Sequence, residues 1–198
     1  NTVGEINTAI GHLAMNANTS GSSNIAIGAG SMKYNVTGND NTVVGVNAMQ
    51  NATGGQNSSL GKDSLRETTT GSANTALGYQ AGYYNATGKN NSIVGGGAAF
   101  YNTSGSANAI FGNEAAYGVS GQSFSSSTLM GYRAGYGLST GSDNILLGFQ
   151  AGDALTTGTR NIVIGYDQDA SAIAASNELN IGGVLYGNLS AKTIGIST

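Results

Sequence analysis

The sequence predicts an all-β fold: a parallel β-solenoid, or β-roll, of about ten 17-residue coils. Three observations predict it. An Asn-x-x-apolar-Gly box recurs, with its glycines at 11, 28, 45, 61, 78, 95, 112, 131, 148, 165 and 182 (Ser127 replaces Asn before Gly131, and the box at Asn180-Ile181-Gly182 is degenerate), and eight of the ten intervals are 17, the others 16 and 19. A second glycine, always preceded by Ser or Thr, follows each box at 21, 38, 54, 71, 88, 105, 121, 141 and 158. The chain has 33 Gly and no Pro, and only 9% of its residues are charged, yet 39% are hydrophobic and these are spread evenly. Fixed-period self-similarity marks a repeat architecture. Disordered chains instead combine high net charge with few β-branched residues.

Each element follows from a column of the repeat. The residues ahead of the first glycine are rich in Thr, Ile, Val and Ala, which suits a short strand. The glycine after the strand permits a positive φ and a sharp corner. The Ser/Thr-Gly pair reads as another turn. Between the two, the third residue past the corner is small (Ala14, Ser31, Ala48, Ser64, Ala81, Ala98, Ala115, Ala134, Ala151). Strand, corner, small-residue stretch and turn make one coil, and stacked coils would hydrogen-bond about 4.8 Å apart. The box asparagines are expected to stack into a ladder. The array is placed at 1–182, with 183–198 as a capping or connecting segment. The 19-residue coil between Gly112 and Gly131, with Ser123-Phe124-Ser125-Ser126, departs from the pattern and is expected to bulge.

Both strand columns are apolar. The residue before each corner glycine (Ile10, Ile27, Val44, Leu60, Leu77, Val94, Phe111, Met130, Leu147, Ile164) is bulky, and is expected to face the core. The residue before that (Ala9, Ala26, Val43, Ser59, Ala76, Ile93, Ile110, Leu129, Leu146, Val163) is then expected to face outward. Strands apolar on both faces are buried on both faces. The outward column should therefore seal against another chain around a rotational axis, with two or three chains equally compatible with the residues.

The boxes Asn-Thr-Ala-Ile-Gly-His-Leu-Ala at 7–14 and Asn-Thr-Ala-Leu-Gly-Tyr-Gln-Ala at 74–81 resemble the head repeats of trimeric autotransporter adhesins. The 17-residue period with Thr-Thr-Gly turns is similar to bacteriophage tail fibres and bacterial surface fibres. The stretch Leu179-Asn-Ile-Gly-Gly-Val-Leu-Tyr-Gly-Asn188 is similar to the segment preceding an endosialidase-type chaperone. The resemblance covers nearly the whole chain. It implies a left-handed roll, a homotrimer, and a place outside the cell, on a cell surface or a virion tail. It implies a structural and adhesive role in attachment to a target surface.

Candidate contact residues are aromatic. Tyr83, Phe100, Tyr117 and Tyr136 lie five residues past the corner glycine, with Tyr84 and Tyr101 beside them, and Tyr79 and Tyr132 lie one residue past it, as do Phe149 and Tyr166. Such rows can stack on sugar faces, so a surface glycan or protein receptor is the expected partner, or they can stack on one another between coils. The Ser/Thr column at Ser20, Thr37, Thr53, Thr70, Thr87, Ser104, Ser120, Thr140 and Thr157 admits an ice-binding alternative. Sequons such as those at Asn18, Asn35, Asn51, Asn57, Asn85, Asn102 and Asn188 follow from Asn- and Thr-rich turns.

Other classes are disfavoured. The seven basic residues are scattered and the formal charge is −3, so no stripe exists to neutralise phosphates. No apolar run approaches the ~20 residues of a membrane span. His12 is the only histidine and there is no Cys, so no metal site or cofactor is expected. The ten acidic residues recur in no column, which argues against general acid–base catalysis and against an enzyme. The chain opens at Asn1 without a signal-peptide pattern and is read as part of something longer.

Overall fold

A computed structural model describes residues 3–196; residues 1–2 and 197–198 of the expected array and connector lie outside the described residues. Ten three-residue strands recur once per coil: β1 (Thr8–Ile10), β2 (Ile25–Ile27), β3 (Thr42–Val44), β4 (Ser58–Leu60), β5 (Thr75–Leu77), β6 (Ser92–Val94), β7 (Ala109–Phe111), β8 (Thr128–Met130), β9 (Ile145–Leu147) and β10 (Ile162–Ile164). Each pairs in parallel with the next, with like repeat positions opposite one another, as in Ala9↔Ala26 and Ile93↔Ile110. β11 (Glu178–Ile181) adds the last parallel pairing. β12 (Leu185–Asn188) and β13 (Thr193–Ile196) then continue the same sheet as an antiparallel meander. No helix occurs among the described residues. The chain is thus an all-β parallel solenoid of about ten turns at a 17-residue spacing.

Stacking continues around the rest of each coil. Backbone amides outside the strands bond to the neighbouring coil, as Met15 N to Ser31 O (3.0 Å) and Gly30 N to His12 O (2.9 Å) do. The box asparagines form a buried ladder. Asn74 Nδ2 donates to Asn57 Oδ1 (3.1 Å) and to Gly88 O (2.9 Å), while its Oδ1 accepts from the backbone N and Nδ2 of Asn91 (both 3.0 Å). These bonds satisfy backbone groups that would otherwise be buried unpaired in the turns. The corner glycines after β1 to β10 hold φ between 131° and 151°, and a Cβ on Gly45 would lie 2.2 Å from the carbonyl oxygen of Gly61. Only glycine lets the coils approach this closely.

The two strand columns face the opposite way from the sequence expectation. The middle residues, Ala9 at the first coil excepted, are buried: Val43, Ile93, Ile110, Leu129, Leu146 and Val163 line the core. The residues before the corner glycine face out, with Ile10 58% and Leu60 50% exposed. A three-residue strand can turn only its central side chain inward while its flanking residues share the outer face. The core is narrow, and it is filled by compensation. Opposite the middle column stand Met15, Met32, Met49 and Leu65 in the early coils, and Gly82, Ala99, Ala116, Gly135 and Gly152 later. As the strand residue grows from Ala26 to Leu146, its opposite number shrinks from Met32 to Gly152. A Cβ on Gly152 would lie 2.7 and 2.9 Å from the two Leu146 methyls.

The long coil does bulge. Its extra residues loop out around Gly118–Gly121, where Val119 N bonds back to Gln122 Oε1 (2.8 Å). Ser123–Ser126 stays in register, with Ser104 and Ser123 hydroxyls 2.8 Å apart. Phe124, not Gly121, takes the place of the closing glycine: Asn108 Nδ2 donates to its carbonyl (3.0 Å), and its ring is fully buried.

Candidate functional site

The aromatic columns come together as two clusters. In the first, Tyr83, Phe100, Tyr117 and Tyr136 stack in sequence at centroid separations of 5.0, 5.0 and 5.6 Å. Tyr84 and Tyr101 stack on each other (5.4 Å, 6°) and meet the first row edge-on, as in Tyr84–Phe100 at 84° and Phe100–Tyr101 at 81°. The parallel coil register puts like positions one strand spacing apart, which is close to the stacking distance of rings. Cations cap both ends. Arg66 Nη1 donates to the Tyr83 hydroxyl (2.8 Å), and the Arg133 guanidinium lies 4.1 Å from the Tyr136 centroid. The ring faces of the Tyr83, Phe100, Tyr117 and Tyr136 row are therefore occupied by one another and by guanidinium groups. What this row offers to solvent is edges and phenol hydroxyls. Burial raises the Tyr83 and Tyr117 phenols above their ordinary value, with Arg66 opposing the rise at Tyr83. Both stay protonated donors at neutral pH.

The second cluster lies one residue past the corner glycine. Tyr132, Phe149 and Tyr166 stack at 5.3 and 5.0 Å. Tyr79 occupies the same column, but Gly96 and Asn113 separate it from Tyr132. Sequence reasoning named Tyr79 and Tyr132 but missed the interruption, and with it Gln80, Asn113 and Glu114. The signal was the column itself: Lys62, Tyr79, Gly96, Asn113, Tyr132, Phe149, Tyr166.

The remaining candidates separate. His12 is exposed in the first coil. Among the described residues no group of three or more His, Asp or Glu side chains is placed to hold a metal ion. Among the described residues no helix is long and apolar enough to cross a membrane. A hollow of about 530 Å³ lies at the meander, and Glu178 is the one charged residue in its lining among the described residues. The Glu178 carboxylate already accepts from the amide and hydroxyl of Ser171 (2.8 and 2.5 Å). Of the sequon asparagines, Asn18, Asn35, Asn57, Asn85 and Asn102 are buried, because they serve the ladders inside the coil.

The outer face of the sheet is the other extended surface. Two columns share it, roughly 7 Å apart along each strand. One holds Thr8, Ile25, Thr42, Ser58, Thr75, Ser92, Ala109, Thr128, Ile145 and Ile162; the other is the bulky column from Ile10 to Ile164. No family model, curated protein or solved structure matches the chain.

Proposed function

We propose that the chain is a structural and adhesive segment of a homotrimeric extracellular fibre that attaches to a target surface, on a cell or a virion tail. One observation carries the reading: the unbroken column of outward Ile, Val, Leu, Phe and Met on all ten coils. At about 4.8 Å per coil it runs roughly 45 Å, with a second column of Thr, Ser, Ala and Ile beside it. Continuous apolar surface of that extent is characteristic of an interface. The columns repeat with the coil, so a second copy in the same register offers an equally periodic partner, which favours rotational symmetry. The number three comes from the resemblance of the Asn-Thr-Ala-Ile-Gly boxes to trimeric adhesin heads. Assembly would present three copies of every coil surface on one rod, and linked sites raise avidity without new contacts.

Cross-linking tests this reading. The chain has no Cys, so a substitution supplies the only thiol. Leu77→Cys, on the outer strand face, is expected to oxidise into a covalent dimer of chains. Thr70→Cys, exposed in a turn, is expected to remain single. Absence of the Leu77→Cys cross-link, or equal cross-linking at both positions, would contradict assembly through this face.

A further inference from the structure

The geometry points to a saccharide-binding subsite in the interrupted aromatic column, where we infer that one neutral hexopyranose ring takes the place of the missing rung. The inference rests on the reading of the chain as an attachment segment and names where attachment occurs.

The cavity is about 210 Å³, between Tyr79, Gly96, Gly97, Asn113 and Glu114, with Gln80 and Tyr117 at its margins. That is smaller than the roughly 300–1,000 Å³ of pockets for drug-sized ligands and suits a single ring. Tyr79 is 54% exposed. Lys62 of the preceding coil lies 5.9 Å from its ring centroid. On the other side the next coil supplies Gly96, which has no side chain to stack. Two coils on, Asn113 closes the gap, so Tyr79 and Asn113 stand roughly 10 Å apart along the rod. In the same column Phe149 fills an equal interval as the rung between Tyr132 and Tyr166, at 5.3 and 5.0 Å. The Asn113 amide leans into this interval, to 2.9 Å from where a Gly96 Cβ would stand, so the gap accepts one ring as that amide turns aside to bond it.

The lining decides which ring. An aromatic ring face attracts the apolar C–H face of a pyranose. Gln80 and Asn113 carry amides that make no side-chain hydrogen bond to described residues, and each amide can both donate and accept. Vicinal hydroxyls do the same. Glu114 is a further acceptor, held in place by Arg133 Nε at 3.0 Å. A carboxylate in the lining disfavours an acidic sugar. A purely aromatic ligand would leave the two amides unpaired, which is unfavourable.

Gly96 gives a variant that should fold. Its φ lies outside the left-handed region, and a Cβ there would meet the end of the Asn113 side chain at 2.9 Å and the Tyr79 carbonyl oxygen at an ordinary 3.9 Å. Gly96→Tyr therefore restores the rung and fills the cavity. The experiment is saturation-transfer NMR on the purified chain, with methyl β-D-glucopyranoside and methyl β-D-galactopyranoside as probes. At least one probe is expected to receive saturation at its ring C–H protons. Gly96→Tyr should weaken binding at least about tenfold with no loss of thermal stability, and Tyr79→Ala should weaken it comparably. No transfer to either probe, or transfer unchanged in Gly96→Tyr, would overturn the subsite. Solution mass is read on the same samples. A trimer that ignores both sugars removes the subsite and leaves the fibre; a monomer that binds them keeps the subsite and removes the fibre.

Discussion

Exchanging the Leu146–Gly152 pair for the Ala26–Met32 pair of an earlier coil tests the core directly. Leu146 is fully buried, and all three atoms nearest to a Cβ on Gly152 belong to it, at 2.7, 2.9 and 3.3 Å. Leu146→Ala removes those three carbons, worth about 2.4 kcal/mol at ~0.8 kcal/mol each. The residual cavity brings the cost to about 3 kcal/mol. Gly152→Met alone drives a side chain into the Leu146 methyls, costing about 1–3 kcal/mol for overpacking and about 1 kcal/mol for a non-glycine residue at φ 63°. The double variant resembles the second coil, where Met32 sits at φ 47° beside Ala26. It should fall within about 2 kcal/mol of the parent, a favourable coupling of at least ~2 kcal/mol. Urea unfolding of all four proteins at one fixed protein concentration measures the cycle, the concentration being held because the proposed assembly would contribute to stability. Additivity within about 0.5 kcal/mol would refute the idea that these columns face each other.

Three further outcomes follow from the coil. Ala73 and Ala107 are exposed at φ 55° and 59°, so each change to Gly should raise stability by about 0.5–1 kcal/mol, read as a higher urea midpoint. Asn74→Ala strips a buried ladder of its donor and acceptor and should cost about 3 kcal/mol. Asn74→Ser should cost less, since Ser127 holds the same place and accepts from Asn144 N at 3.2 Å; hydrogen exchange at the Asn91 amide should accelerate more in the Ala variant. Asp169 stands in the core column beyond Gly152, and desolvation raises its carboxyl above the ordinary value, with Asp153 and Asp167 adding to the rise. The folded state thus holds its proton more tightly. The associated stability is present below the unfolded pKa and is lost as pH rises through the folded one. Asp169→Asn should therefore unfold at higher urea than the parent at neutral pH, and the difference should close as pH falls through the carboxylate range.

What was legible in the sequence was what repeats. The corner glycines, the asparagine ladder and the parallel register all follow from one period, because stacking like on like satisfies the same groups in every coil. The facing of the strands was misread because bulk was taken as the mark of the interior, although Ile10 and Ala9 are both apolar. The deciding signal lay in size compensation between two columns six residues apart, Ala26 with Met32 against Leu146 with Gly152. Gly121 has the Ser-Gly context of a closing turn, which hid the fact that Phe124 carries that carbonyl. At the aromatic site the columns were visible, but the direction of the rings was not. Whether Tyr117 turns a face or an edge to solvent depends on Phe100 and Tyr136 in the adjoining coils. The gap at Gly96 is a missing side chain, legible only once the column around it is aligned.

The central claim is that the outward apolar column is an interface between copies of this chain, and the mass of the purified chain by light scattering tests it most directly. The account predicts a mass near three times 19.7 kDa, and a species near 19.7 kDa that persists as concentration rises would contradict it.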